Sequence, residues 1–251
     1  MFFSIIIPAL NEEDYIGLLL DSIVKQDFPD YEVIVVNGLS QDNTSKIVSD
    51  FTGVKLLSSI KNNISHQRNL GGNIAKGKYL LFFDSDIVLP PGFLTSLYKQ
   101  LVNHQNIDIY NSYLVPLSDK KIDHFLYFLL YLIIKASLLV KPGFPGSFIG
   151  IKREIFDKIK GFDEKIIFGE DQEFTERAVK NRARPYLFYK PSLFVSVRRF
   201  NLQGRKTIIK IFLRYLINIF TKNYFTQPVF DYPFGAYTKK DAAQSRVSTK
   251  K

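Results

Sequence analysis

Four short runs in the first hundred positions are apolar almost throughout, and each ends in a polar or proline-marked turn. They are Ser4–Pro8, Glu32–Asn37, Val54–Ser58 and Tyr79–Phe83. Runs without alternation read as strands covered on both faces. Between them the apolar spacing changes to a helical one. Ile16, Leu19, Leu20, Ile23 and Val24 mark a first helix, with Asn11 as its expected cap and Glu12, Glu13 and Asp14 in its first turn. The turn-rich stretch Gly38–Thr44 opens a second helix, Ser65–Ala75 forms a third, and Gly92–Asn103 a fourth. In the third, Gly71 and Gly72 would let another backbone or side chain approach closely. Further on, the pattern predicts a strand over Ile107–Val115, a helix over Ile122–Val140, a strand over Gly146–Ile151, a short helix over Arg153–Ile159 and a helix over Gly169–Asn181.

Strands alternating with helices at this spacing predict right-handed βαβ units and a parallel sheet. Ligands of such sheets bind beyond the carboxyl ends of the strands. Pro8–Asn11, Asn37–Asp42 and Asp84–Asp86 are then expected on one rim.

Composition adds bounds. The chain has 251 residues, 46% hydrophobic and 15% aromatic, which excludes a disordered protein and fits one large α/β domain with an appendage. There is no cysteine, hence no disulfide framework and no thiolate metal site, in keeping with a reducing, cytoplasmic setting. The apolar start runs straight into Asn11-Glu12-Glu13-Asp14 without a basic region, so it reads as a strand and not a signal peptide. Net charge is +10, and all of it is C-terminal: residues 190–251 carry thirteen Lys/Arg against Asp231 and Asp241. A basic quarter suits an anionic membrane face, a phosphorylated ligand or nucleic acid; no stacking platform or reader motif supports the last, and no nucleic-acid partner is expected.

The chemistry is carried by carboxylates. Asp84 and Asp86, two apart at a strand end, face the same way in extended chain and repel unless a cation sits between them. A hard divalent ion that takes its remaining ligands from substrate phosphates meets that need. The competing reading is a turn acid followed by a helix cap. Glu170 and Asp171 likewise read either as a catalytic carboxylate pair or as acids favoured in a first helical turn. His66, His104 and His124 are scattered and not at ligand spacing.

Taken in order, Ser4–Glu13, Val33–Thr44, Arg68-Asn69-Leu70-Gly71, Phe83-Asp84-Ser85-Asp86, Gly161-Phe162-Asp163-Glu164 and Gly169-Glu170-Asp171 resemble the family 2 glycosyltransferases of GT-A fold, from residue 4 to about residue 200. The resemblance implies a three-layer α/β sandwich with a mostly parallel central sheet over residues 1–203, an inverting transfer from a nucleotide-diphosphate sugar to a hydroxyl acceptor, and Mg²⁺ or Mn²⁺ as cofactor. By the same resemblance Pro8, Ala9, Asn11 and Glu12 meet base and ribose, Arg68 lies near the nucleotide, Asp84 and Asp86 hold the metal on the diphosphate, Asp171 is the base and Glu170 its neighbour. The family's Asp-Asp-Gly-Ser loop is here Asn37-Gly38-Leu39-Ser40, so Asn37 offers an amide where an acid contacts uracil. Arg198 and Arg199 either close over the diphosphate as guanidinium forks or are surface charge. The chain has no tryptophan, and the Gln-x-x-Arg-Trp of processive relatives is absent, which favours single addition.

Residues 204–238 are expected to include a helix with Lys206, Lys210, Arg214, Asn218 and Lys222 on one stripe and apolar residues elsewhere, and 239–251 a disordered basic tail. Such a helix either floats on anionic lipid at the cytoplasmic face, where a polyprenyl-linked acceptor would be met, or packs on the protein. Phe125–Ile134, ten apolar residues, is too short to span a bilayer and reads as a buried core helix or an interfacial segment. Among rivals, a nucleotidyltransferase would open with a glycine-rich basic loop instead of Pro8–Glu13, a dehalogenase-type phosphatase would place Asp-x-Asp on its first strand, and a non-catalytic nucleotide-sugar binder would have lost its acids.

Overall fold

The computed structural model describes residues 1–198, 200, 204 and 205. Fifteen elements follow in the order β1 (Phe3–Ala9), α1 (Ile16–Val24), β2 (Tyr31–Asn37), α2 (Thr44–Ser49), β3 (Val54–Ser58), α3 (Ile64–Ile74), β4 (Tyr79–Phe83), β5 (Ile87–Val88), α4 (Phe93–Asn103), β6 (Ile109–Leu117), α5 (Lys121–Ser137), β7 (Phe148–Lys152), α6 (Arg153–Lys158), α7 (Glu170–Lys180) and β8 (Pro185–Ser196). They form one eight-stranded sheet in the order β3-β2-β1-β4-β7-β6-β8-β5.

The first four strands in sheet order are parallel. β7 then runs antiparallel to both β4 and β6, and β8 runs parallel to β6 but antiparallel to β5. The strands of the parallel half are apolar on both faces because helices cover both. Ile5, Ile7, Leu81 and Phe83 pack with Leu19, Leu20 and Ile23 of α1 and with Phe93 and Leu97 of α4. The alternate residues Ile6, Leu80 and Phe82 pack with Phe156 of α6 and Phe174 of α7. Two cores either side of one sheet make the expected three-layer sandwich.

The paired glycines of α3 serve the close approach expected of them. A Cβ on Gly71 would lie 2.5 Å from Ile6 Cγ2, and one on Gly72 2.6 Å from the Phe156 ring, so only glycines let α3 lie this near the sheet.

Three expectations are corrected. Asn11 does not cap α1: the helix begins four residues later, Tyr15 stands at the cap, and Glu12, Glu13 and Asp14 precede the first turn instead of crowding it. Asn11 instead adopts φ 53°, and its Oδ1 accepts from the Gln41 N–H at 2.8 Å; its short polar side chain tolerates that backbone. Secondly, Phe125–Ile134 is not a buried core helix. Leu126, Tyr127, Leu130, Tyr131 and Ile134 are buried while Phe125, Phe128, Leu129 and Leu132 are exposed. Thirdly, β8 was not expected. The strand carries Tyr189, Lys190 and Pro191 in mid-run, which blurs its period, and its partners lie far back in the chain, in β6 and β5. The expected helix over 206–222, the tail 239–251 and Arg199 lie outside the described residues.

Candidate active site

The carboxyl ends of β1, β2 and β4 bring three loops together, and backbone and side-chain hydrogen bonds fix them. The Gly38 N–H donates to the Ala9 carbonyl at 2.7 Å, and the Asn11 N–H donates to Ser40 Oγ at 2.9 Å. The Ser40 N–H in turn donates to Asn37 Oδ1 at 3.1 Å. Ser85 Oγ donates to the Pro8 carbonyl at 2.9 Å. Glu12 and Glu13 are held by α2's entry, their N–H groups donating to Thr44 Oγ1 and Asp42 Oδ2. The rim expected from strand ends alone is therefore present. A concavity of about 420 Å³ lined by Gln26, Phe28 and Tyr31 lies at the opposite, amino ends of the strands and holds none of these acids.

Asp84 and Asp86 do not share one extended face, as expected from their spacing. β4 ends at Phe83, and Asp84-Ser85-Asp86 is a turn leading to β5. Each acid has its own buried arginine. Arg68, 1% exposed, donates from Nη2 to Asp84 Oδ1 at 3.1 Å and from Nη1 to Glu170 Oε1 at 3.0 Å. Arg198, 5% exposed, pairs from Nε with Asp86 Oδ2 at 3.0 Å and grips both oxygens of Glu12 at 2.7 and 2.8 Å. Arg198 is thus neither surface charge nor a free fork. Burying a guanidinium is tolerated only with partners of this kind, since an unpaired buried charge costs several kcal/mol.

Asp171 lies on the same side as this cluster. It sits in the first turn of α7, entered through Gly169 at φ 86°. Its Oδ2 accepts the Gly146 N–H at 2.6 Å, the Gly146 carbonyl accepts from Arg68 at 3.1 Å, and the Asp84 N–H donates to the adjoining Ser147 carbonyl at 3.1 Å. The loop before β7 therefore joins Asp171 to Asp84. Gly146 has no room for a side chain: its Cβ would stand 2.8 Å from Arg68 Nη2 and 3.3 Å from Asp171 Oδ2. Sequence reasoning placed Gly146 inside a strand and missed this function; the run Gly143-Phe144-Pro145-Gly146 was the available signal.

Two carboxyls are strongly perturbed. Asp171 is raised to about 7, first by burial and then by Glu170, against the opposing pull of Arg68 and two backbone N–H groups. Burial thus outweighs the helix N-terminus. Glu12 is also raised to about 7, by burial first, with Arg198 opposing and Asp86 and Asp84 adding.

Neighbouring residues of α3 divide the labour. While Arg68 serves the acids, Asn69 holds the Gly161–Glu164 turn: its Nδ2 donates to the Phe162 carbonyl at 2.9 Å and its Oδ1 accepts the Phe162 N–H at 2.7 Å. Gly161, at φ 66°, leaves space for that amide. Glu164 of the same turn meets His66 Nδ1 at 3.0 Å, so this histidine is structural. Among the described residues no group of three or more His, Cys, Asp or Glu side chains is arranged to hold a metal ion without help.

Known proteins share the fold that carries this rim. A GlyA glycosyltransferase of Streptococcus pneumoniae serotype 4 is 34% identical over 106 residues, 41% of this chain and 15% of that protein. The poly(ribitol-phosphate) beta-N-acetylglucosaminyltransferase TarS of Staphylococcus aureus is 40% identical over 93 residues, 34% of this chain and 16% of that one. The chain therefore matches less than a fifth of the length of these curated relatives. The crystal structure of TarS 1–349 with UDP-GlcNAc superposes with a TM-score of 0.65 at 24% identity, covering 78% of this chain and 58% of that one. The mannosyltransferase PcManGT of Pyrobaculum calidifontis, solved with GDP-Man and Mn²⁺, gives 0.63 at 20% identity over 76% and 56% of the two chains. At such identities the superpositions establish the GT-A fold. The family model for glycosyl transferase family 2 matches residues 4–160, and the chain belongs to that family.

Proposed function

We propose that this protein is a cytoplasmic enzyme that moves a sugar from a nucleotide-diphosphate donor to a hydroxyl acceptor with inversion, and that Asp171 is its base. The observation that carries the reading is the position of Asp171: a carboxyl in the first turn of α7, tied through the Gly146-Ser147 loop to Asp84 of the strand-end rim, with its pKa raised to about 7 by burial. A base poised near working pH takes up a proton and stays ionised often enough to do so. The acceptor oxygen bonds to the anomeric carbon as its proton passes to an Asp171 oxygen. The bond from that carbon to the diphosphate oxygen breaks on the opposite face, and its electron pair leaves with the diphosphate.

The residues also suit a divalent ion. Asp84 and Asp86 are oxygen donors with side chains 23% and 9% exposed, and Mg²⁺ or Mn²⁺ commonly takes one or two carboxylates and completes its shell with phosphate and water. Held by these two, it would neutralise the leaving diphosphate as a Lewis acid. Pro8, Ala9, Asn11, Glu12 and Asn37 line the side where base and ribose are expected, and Arg68 sets Asp84 and Glu170 in place from beneath. With Arg198 held on Glu12 and Asp86, Arg199 is the candidate for the diphosphate itself. TarS, whose name describes transfer onto poly(ribitol phosphate), supports a cell-envelope glycan as acceptor, and a polyprenyl-linked one accounts for a peripheral membrane contact through the basic residues after 205.

A catalytically inactive nucleotide-sugar binder is the second reading; its prediction is that Asp171 is dispensable. Purified protein incubated with a panel of nucleotide sugars and Mg²⁺ or Mn²⁺ should release nucleoside diphosphate. Asp171→Asn should lower turnover by about 10²–10⁴-fold while leaving donor affinity nearly unchanged. Turnover that survives the substitution overturns the assignment of the base.

A further inference from the structure

α5 carries two apolar faces. The inward one belongs to the core; the outward one has no cover among the described residues. Phe125 is 59% exposed, Phe128 and Leu129 41% each and Leu132 44%, and beyond the helix end Leu139 and Val140 extend the line at 90% and 73%. Over 17 residues at 1.5 Å per residue this is a stripe about 25 Å long. Soluble monomers rarely show so much contiguous apolar surface without a use for it.

Charge indicates what covers it. Lys121 stands at the start of the helix and Lys135 in its last turn, both exposed. The one acid of α5, Asp123, is fully buried and neutralised by Arg205, whose Nε and Nη2 donate to its two oxygens at 2.7 and 2.8 Å. The outward face is therefore apolar in the middle and positive at the ends. Two copies packed α5 on α5 in antiparallel fashion would set lysine against lysine. The chain that continues from Arg205 brings little negative charge to meet those lysines, for residues 206–251 hold nine Lys/Arg against two Asp. An anionic bilayer surface complements both features.

We infer that the outward face of α5 is a lipid-docking surface, seated in plane on a bilayer bearing anionic headgroups. It has a direct path to the acidic rim. The segment after β8 starts at Arg198, on Glu12 and Asp86; it passes Phe200, which stacks on Tyr127 of α5 at 5.6 Å, and reaches Arg205 on Asp123. Docking does not depend on the transfer reaction, and its test needs no activity.

The chain contains no tryptophan, so one introduced residue reports alone. In the full chain, Phe128→Trp should emit as a solvent-exposed indole in buffer. On adding phosphatidylcholine vesicles containing phosphatidylglycerol, it should shift to the blue and be quenched by brominated acyl chains. Val102→Trp, at an exposed position of α4, should do neither. The combined change Phe125→Gln, Phe128→Gln and Leu132→Gln removes outward side chains only; it should leave the melting temperature in place and lower vesicle partitioning by about tenfold or more. Three results overturn the inference. If the Phe128→Trp variant already emits in the blue before vesicles are added, another part of the chain or a second copy covers the face. Emission that stays red while the protein sediments with vesicles means that the basic residues after 205 bind by themselves. No sedimentation with anionic vesicles removes the membrane altogether.

Discussion

Arg68 and Arg198 are both buried, both pair with two carboxylates, and both flank Asp84-Ser85-Asp86, yet they reach the site by different routes. Arg68 rises from the middle of α3, a helix wedged against the sheet by Gly71 and Gly72, and its guanidinium also stands 5.2 Å from the Phe162 ring. Its surroundings do not change unless the fold does. Arg198 is carried by the first residues after β8, with Tyr15 beneath its guanidinium at 4.5 Å. One of its acids, Glu12, is itself half ready to be neutral near pH 7. The difference separates a permanent counter-charge, fixed in the body of a helix, from one whose partner Glu12 has an alternative, protonation near pH 7.

The largest expected effect follows from removing the permanent one. Arg68→Met leaves Asp84 and Glu170 without their partner and should cost about 3–5 kcal/mol in urea unfolding. Gly146→Ala keeps every charge but presses a methyl group between Arg68 and Asp171. A loss of about 1–3 kcal/mol, with transfer reduced more than folding, would show that the Arg68 side is rigid. Arg198→Met should cost less, about 1–2 kcal/mol at pH 7, because Glu12 can take a proton. The sign with pH is fixed by the direction of the shift. Glu12's folded pKa lies above its unfolded value of 4.5, so its linked stability is full below 4.5 and is lost as pH rises through about 7. Without Arg198 that loss extends to higher pH, and the gap between variant and parent should widen from pH 6 to pH 8. Equal costs for the two arginine variants at every pH would erase the distinction. The mildest probe needs no substitution: kcat/KM should rise with pH and level off above about 7 as Asp171 ionises, whereas a profile flat from pH 5 to 8 would contradict its role.

Much of the parallel half was legible because its rules are local. Continuous apolar runs marked β1 to β4, helical spacing marked α1 and α4, and the position of strand ends placed three polar loops on one rim. Six motifs in order then identified the family. What escaped reading was set by distant partners. Asn11 looked like a cap because Asn precedes a helical pattern, but the Ser40 and Gln41 contacts across the rim hold it elsewhere. The Asp84 and Asp86 side chains were expected to face one way; the turn that separates them is stabilised by β8, which pairs with β5 immediately afterwards. Arg198 could not be distinguished from surface charge, since its burial depends on Glu12, 186 residues earlier. The burial that raises Asp171 comes from the packing around α7, and no periodicity within residues 169–181 encodes it.

Among the described residues β8 is the last strand of the sheet in sequence; it sits between β6 and β5, where the Ser196 N–H donates to the Asp86 carbonyl at 3.0 Å. On a ribosome, the amino-terminal strands and helices can associate as they emerge, but this insertion waits for almost two hundred residues of synthesis. A nascent chain therefore holds its other strands and its helices before it can shape the turn that bears its acids. Competence arrives in a single late step, and truncated products lacking β8 would be recognisable to quality control by the unpaired edges of β5 and β6.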